Sequence, residues 1–212
     1  MRFRLVYDGE LKAAGNNNNR GKEKWAIRKK FCPQLASLSV THPIMRGVAI
    51  TAKGLSAGGA YNASPQVSVD IDITSPHEKT KKDLLECIEI GGNKFIPLVR
   101  KSLELICELD ILFLRNDAPG SIVKSGGDLD NRIKTLFDGL RIPTVDDLKF
   151  DKPDSAPFYC LLEDDSLISS FAVRTDRLLT DPTRDANRVL LVIDVKLTAI
   201  KLTTHNVGFL AD

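Results

Sequence analysis

Alternation of apolar and polar residues is the clearest pattern in this chain, and it is longest between residues 103 and 113. A period of two places successive side chains on opposite faces of a β-strand. The pattern therefore predicts a long strand with one face buried in a core. Its apolar positions are Leu103, Leu105, Cys107, Leu109, Ile111 and Phe113.

Shorter patterns predict further strands. Arg2–Tyr7 and Val67–Ile73 alternate, Phe95–Val99 is a short apolar run, and Leu167–Thr175 and Arg188–Leu197 are rich in Val, Ile and Leu. A polar turn separates the last two segments. We therefore expect them to pair with each other as neighbouring antiparallel strands.

A helix is predicted over residues 128–140, because apolar residues recur there at the three- and four-residue spacing of one helix face. Asp128 is suited to cap the first turn of this helix. The apolar face consists of Ile133, Leu136, Phe137 and Leu140.

Two more helices are predicted. Lys22–Phe31 suits a basic helix with Trp25 and Phe31 as inward anchors, and Pro33 is expected to interrupt or restart it. Another helix starts at Ser75, which is followed by a proline, and is expected to end at Gly91-Gly92. Together, these elements predict an α+β fold, a mostly antiparallel sheet with helices packed on it.

The composition indicates an ordinary globular protein. The chain has 212 residues, of which 42% are hydrophobic, enough for one well-cored soluble domain. Its four cysteines have no metal-ligand spacing, so we expect buried free thiols in a reducing compartment. No apolar run approaches the roughly 20 residues that span a bilayer, and the N-terminus has no apolar signal core. We therefore expect a cytoplasmic protein with no membrane association.

Positive charge is concentrated near the start of the chain. Residues 1–30 carry nine basic and three acidic residues, a net charge of +6, so the remainder carries −4 of the chain's total of +2. A basic end on an otherwise acidic chain suits a metal-dependent enzyme that acts on nucleic acid, and a solvated basic surface is the alternative. The candidate phosphate-contact residues are Arg20, Lys22, Lys24, Arg28, Lys29 and Lys30.

Two separate segments carry clustered carboxylates. Asp128 and Asp130 flank one leucine at the start of a predicted helix, and Glu163-Asp164-Asp165 precede a predicted strand. Carboxylates from two segments suit Mg²⁺, which takes oxygen ligands and also binds water and substrate phosphate. A site of this kind can hydrolyse phosphodiesters, because the metal activates water and stabilises the departing oxygen.

A lysine lies one helical turn after the second of these aspartates. Asp130, Lys134 and Asp138 follow one another at intervals of four residues and are predicted to share a helix face. Lys134 either holds Asp130 in place or meets a phosphate oxygen in the transition state. From these residues alone, an N-capped surface helix with an ion pair is the other interpretation.

The two acidic segments resemble a known family. Asp128-Leu129-Asp130-Asn131, with Lys134 and Phe137-Asp138-Gly139-Leu140, closely resembles the central motif of RusA-type Holliday junction endonucleases. Asp164-Asp165-Ser166-Leu167-Ile168 resembles that family's second motif, a double aspartate that leads into a strand. The order of predicted elements along the chain is also similar to that of the family.

The resemblance implies a fold and a function. It implies a single RusA-like domain over residues 1–212, with an insertion around residues 43–95, because this chain is longer than a typical family member. It also implies a homodimer that cleaves branched DNA with Mg²⁺, in recombination or repair. The site residues that it implies are Asp128, Asp130 and Asp165 as metal ligands and Lys134 as the catalytic lysine.

Three alternatives remain open. Asp146-Asp147 lie closer to the predicted helix than Asp164-Asp165 and could supply the downstream ligand, although the strand that follows Asp165 favours the later pair. A protein of the same fold could bind nucleic acid without cleaving it. A metal-dependent nuclease could also act on flaps or single strands instead of junctions.

Overall fold

The computed structural model describes residues 1–12, 20–42, 85–116, 129–179 and 188–203, together with Asn206 and Phe209. Two helices and seven strands form within these residues, and neither helix is long and apolar enough to cross a membrane. In chain order the elements are β1 (Arg2–Glu10), α1 (Gly21–Thr41), β2 (Ile88–Ile90), β3 (Asn93–Val99), β4 (Leu105–Arg115), α2 (Leu129–Leu140), β5 (Phe158–Leu162), β6 (Ile168–Arg177) and β7 (Arg188–Ala199).

Four strands form the main sheet in the order β1-β7-β4-β6. β7 pairs antiparallel with both β1 and β4, whereas β6 runs parallel to β4. The alternation predicted for β4 is confirmed, because every second side chain from Leu105 to Arg115 is buried. The strand begins two residues later than predicted, since Lys101–Leu103 forms a short 3₁₀ turn.

β6 and β7 do not pair with each other, so that prediction is wrong: β4 lies between them. The burial of the two strands explains the arrangement. β7 buries alternate residues from Val189 to Leu197 and takes an inner position in the sheet. Seven of the ten residues of β6 are exposed, which is typical of an edge strand.

A second sheet has the order β2-β3-β5, with β2–β3 antiparallel and β3–β5 parallel. The prediction of a helix that ends at Gly91-Gly92 is wrong at its C-terminal end, because Ile88–Ile90 is a strand. Both glycines have positive φ, +55° and +77°, which makes them a two-residue hairpin turn. The rest of that predicted helix and the strand predicted over Val67–Ile73 lie outside the described residues.

The predicted insertion at residues 43–95 is described only at its end, over residues 85–95. This part supplies β2 and the beginning of β3, where Phe95 is fully buried. β5, the partner of β3, is a strand that the sequence analysis did not predict. It consists of five consecutive residues, Phe158-Tyr159-Cys160-Leu161-Leu162, between a loop and the acidic cluster.

α1 extends ten residues beyond its predicted end at Phe31 and runs through Pro33. Trp25 and Phe31 are buried, as predicted, and Leu35 continues the same buried face after the proline. Pro33 removes one backbone hydrogen bond, but burial of the apolar side chains on both sides of it keeps the helix continuous.

The α+β class is confirmed, with mixed sheets: three of the five strand pairings in the described residues are antiparallel and two are parallel.

A large core lies between the main sheet and the two helices. Gly139 of α2 allows α1 to approach closely, because a Cβ at this position would lie 2.5 Å from Cγ2 of Ile27. All four cysteines are free; Cys32, Cys107 and Cys160 are buried, as predicted, whereas the prediction of burial is wrong for Cys87, which is exposed. A smaller core cluster consists of Trp25, Cys32, Phe95, Phe158 and Cys160.

Candidate active site

α2 presents two charged residues of the motif to solvent. Ile133, Leu136 and Leu140 are buried against the core, whereas Asp130 and Lys134 are exposed. Asp130 lies in the first turn of the helix, where the helix dipole stabilises a carboxylate. The predicted apolar face and the predicted position of these two charged groups are thus both found.

Asp165 begins a short 3₁₀ turn, Asp165–Leu167, that connects β5 to β6. Asp164 caps this turn by accepting hydrogen bonds from the hydroxyl and the backbone N–H of Ser166. These hydrogen bonds hold the pKa of Asp164 below its ordinary value. Asp164 therefore maintains the turn, while the exposed side chain of Asp165 is free of this task.

Asp130, Lys134 and Asp165 line one open pocket of about 430 Å³ between α2 and the edge strand β6. Two chain segments that are distant in sequence therefore contribute residues to the same pocket. The other described residues that line the pocket are apolar. The apolar residues are Leu129, Ile133, Phe137, Phe171 and Val173.

The charged groups of this pocket are not used by the fold. Within the part of the chain that the structure describes, the side chains of Asp130, Lys134 and Asp165 have no hydrogen-bond or ion-pair partner. An ion pair between Asp130 and Lys134, which their spacing permits, is not formed. Two carboxylates and one lysine give the pocket a net negative charge, which a cation would stabilise.

Asp138 does not share the face of Asp130 and Lys134, which corrects the prediction made from the four-residue spacing. It contacts Lys24 of α1 at 3.1 Å and Arg141 at 3.3 Å. At 3.6 residues per turn, a residue eight positions along has rotated by roughly 80° from the first. This rotation takes Asp138 from the pocket to the contact with α1.

The rival acidic pair, Asp146-Asp147, lies in a different environment. Asp147 is buried, and its carboxylate accepts hydrogen bonds from Arg28 at 2.9 Å and from the backbone N–H of Thr144 at 3.1 Å. Asp146 is exposed and pairs with Lys149 at 2.7 Å. Both carboxylates thus have basic partners, and neither lines the pocket of Asp130 and Asp165.

Three of the candidate phosphate-contact residues form one side of the contact between α1 and α2. Arg20, Lys24 and Arg28 are spaced four residues apart and all reach α2. Arg20 donates to Oγ1 of Thr135 at 2.7 Å, and Lys24 contacts Asp138. Arg28 donates to the backbone carbonyls of Asp138 and Arg141 at the C-terminal end of α2, where a positive charge is stabilised by the helix dipole.

Arg28 is 1% exposed, so the prediction that it contacts phosphate is corrected: its burial and its ion pair with Asp147 make it part of the core. Lys29 is half-buried and pairs with Asp151 at 2.8 Å. Lys22 and Lys30 are exposed on α1 and have no ion-pair partner among the described residues. The basic surface available to a polyanion is therefore smaller than the sequence predicted.

The donor set of the pocket is compatible with Mg²⁺, which is held by one or two carboxylates together with water and substrate phosphate. Asp130 and Asp165 supply two carboxylates. The described residues form no group of three or more His, Cys, Asp or Glu side chains that could bind a metal. Asp128, the third predicted ligand, lies outside the described residues.

Phe171 is a residue of the site that the sequence analysis did not single out. It lies on β6, lines the pocket and is 54% exposed. Phe171 and Val173 are two residues apart in a predicted strand, and this spacing predicts that both side chains lie on one face. The sequence offered no sign that this face would meet α2 beside Asp130.

The resemblance in sequence motifs is not extended by wider comparison. No protein-family model, no curated protein and no solved structure matches this chain. Any functional assignment therefore depends on the residues of the site and on their geometry.

Proposed function

We propose that this chain is a Mg²⁺-dependent endonuclease of RusA-like fold that acts as a homodimer on branched DNA, with the Holliday junction as the leading substrate. One observation carries the proposal: Asp130, Lys134 and Asp165 line one pocket, and their side chains have no protein partner in the described residues. A capped surface helix would instead be expected to pair Asp130 with Lys134. The free charges favour a site that is completed by a cation and a phosphate.

Each charged residue has a separate role in this proposal. Bound Mg²⁺ would supply activated water and stabilise the departing oxygen during hydrolysis of the phosphodiester. Asp130 and Asp165 would hold the ion, together with Asp128 as the resemblance implies. Lys134 would donate a hydrogen bond to a phosphate oxygen that gains negative charge in the transition state.

The proposal is tested by the cleavage of a labelled four-way junction, with a linear duplex and a flap as control substrates, in Mg²⁺ and in EDTA. We expect nicking of the junction in Mg²⁺ and none in EDTA. Cleavage of the flap alone would assign a different DNA structure as substrate. Tight binding to the junction without cleavage in any divalent metal would favour the non-catalytic binding protein.

Lys134→Met is expected to lower the maximal single-turnover rate by about 10²- to 10³-fold, with little change in the protein concentration that gives half of this rate, because the lysine acts on charge that develops in the transition state. The measurement is the single-turnover cleavage rate over a range of protein concentrations. Lys134→Arg should restore part of the rate. Lys149→Met, at an exposed lysine outside the pocket, should cleave like the wild type. A loss of binding with the maximal single-turnover rate preserved would reassign Lys134 to substrate binding.

Charge reversal at Lys22 and Lys30 is expected to weaken DNA binding and to reduce the slope of log K against log salt by about 2, since each lost phosphate contact releases about one counterion fewer. Binding to labelled junction DNA is measured between about 50 and 300 mM salt. The matched control reverses Lys94 and Lys152, which are exposed but lie outside α1. Equal slopes for the two double variants would exclude α1 as the phosphate-binding surface.

A further inference from the structure

The pocket beside the charged residues has an unusual wall for a hydrolytic site. Phe171 is 54% exposed although it lies within a strand, and its ring packs edge-on against Phe137 at 5.1 Å between ring centroids, with an interplanar angle of 79°. One aromatic ring thus supports the other and leaves it accessible from the pocket. Leu129, Ile133 and Val173 complete an apolar surface around the pair.

The lining of the pocket restricts the chemistry of its occupant. Its polar residues, in the part of the chain that the structure describes, are Asp130, Lys134 and Asp165. A group that enters beyond them meets aromatic and aliphatic side chains and receives few hydrogen bonds. The occupant should therefore be a flat, largely apolar group that is joined to an anion, since Lys134 and any cation held by the carboxylates face the same opening.

We propose that this pocket receives one unstacked nucleobase of the DNA substrate, with the base against the ring of Phe171 and the adjoining phosphate at Lys134. The inference rests on the proposed nuclease function and adds a specificity determinant to it. Bases at a branch point cost less to unstack than bases within a continuous duplex. The pocket would therefore favour branched DNA over linear duplex.

The same geometry predicts little dependence on base identity. Every base has a π-face that can stack on an aromatic ring, whereas discrimination among bases needs hydrogen bonds to their edges. The apolar walls provide few groups for such bonds. Phe171 is accordingly a positioning residue that selects DNA structure, and its loss should affect branched substrates more than linear ones.

Abasic substitution tests the inference directly. A set of labelled four-way junctions carries a single abasic site, placed in turn at each nucleotide around the branch point. Binding is measured in Ca²⁺ instead of Mg²⁺, and the DNA is checked for full length afterwards. For the wild type, we expect one abasic position to weaken binding on the order of tenfold, because stacking of that base is lost.

Three variants identify the residue responsible. Phe171→Ala should bind intact DNA as weakly as the wild type binds the critical abasic DNA, and the abasic site should cause no further loss. Phe171→Tyr keeps an aromatic ring and should retain the tenfold effect. Val40→Ala, which removes an exposed apolar side chain on α1 outside the pocket, should behave like the wild type.

The outcomes separate this inference from the proposed function. If the wild type cleaves DNA but no abasic position weakens binding, the base pocket is overturned and the nuclease proposal stays intact. If an abasic site weakens binding by the wild type but not by Phe171→Ala, and no divalent metal supports cleavage, the base pocket is supported and the nuclease proposal is overturned. A change of oligomeric state in Phe171→Ala, with binding to intact and abasic DNA unaffected, would make this surface a contact between copies of the chain and overturn the base pocket.

Discussion

Replacing either carboxylate of the pocket is expected to remove Mg²⁺-dependent cleavage while the protein stays folded. Asp130→Asn and Asp165→Asn should each lower the single-turnover rate by at least about 10³-fold, because several kcal/mol of transition-state stabilisation depend on the metal. Both side chains are exposed and have no partner among the described residues. Urea unfolding should therefore show a change of less than about 0.5 kcal/mol in the free energy of unfolding.

The neighbouring residue provides a matched control for Asp165. Asp164→Asn changes the same charge one position earlier, but Asp164 caps the turn through Ser166 and does not line the pocket. Because asparagine also caps well, this variant should cleave within a few-fold of the wild type. Loss of cleavage in Asp164→Asn, with activity preserved in Asp165→Asn, would place the downstream ligand at Asp164.

The elements that could be predicted from the sequence are those whose local pattern is long and regular. β4 alternates over eleven residues, and α2 has apolar residues at helical spacing across its whole length. β5 has only five residues and no polar positions between them, so its pattern does not distinguish a buried strand from other buried structure. The sequence predicts the end of a helix at β2, because Gly91-Gly92 can end a helix as well as form a hairpin turn.

The site was predictable only in part, because its two halves meet through long-range packing. The spacing of Asp130 and Lys134 is local and sufficed to place both on one exposed helix face. The approach of Asp165 to the pocket depends on the parallel pairing of β6 with β4, which the sequence analysis did not predict. The exposure of Phe171 has the same origin, since it follows from the position of β6 at the edge of the sheet.

One residue in the run of basic residues on α1 belongs to the core. Lys29 and Lys30 directly follow Arg28, so the segment resembles a solvated helix face. Arg28 nevertheless lies three residues after Trp25 and four before Cys32, both of which are buried. Position relative to the buried residues of the helix was therefore a better guide to the role of Arg28 than its charge.

Removal of either partner of the Arg28–Asp147 ion pair is expected to destabilise the protein by about 3–5 kcal/mol, because the remaining charge would be buried without compensation. The Arg28 side chain has no exposed surface, and its Nη2 donates to the Asp147 carboxylate at 2.9 Å. Urea unfolding of Arg28→Met, Asp147→Leu and the double variant measures the effect. The double variant should lose less than the sum of the single variants. Additive losses within about 0.5 kcal/mol would contradict the pairing.

The pH dependence provides an independent test of the same ion pair. Burial by itself raises the pKa of Asp147, but Arg28, the Thr144 N–H and Lys24 together lower that pKa overall. A carboxylate with a lowered pKa stabilises the fold fully above its ordinary pKa of about 3.9, and this stabilisation is lost as pH falls through the lowered value. The stability difference between the wild type and Asp147→Asn should therefore be constant near neutrality and shrink below about pH 4. Asp151→Asn, which removes the exposed partner of Lys29, should change stability by less than about 1 kcal/mol at any pH. A difference between wild type and Asp147→Asn that persists unchanged to about pH 2.5 would show that the charge of Asp147 does not stabilise the fold.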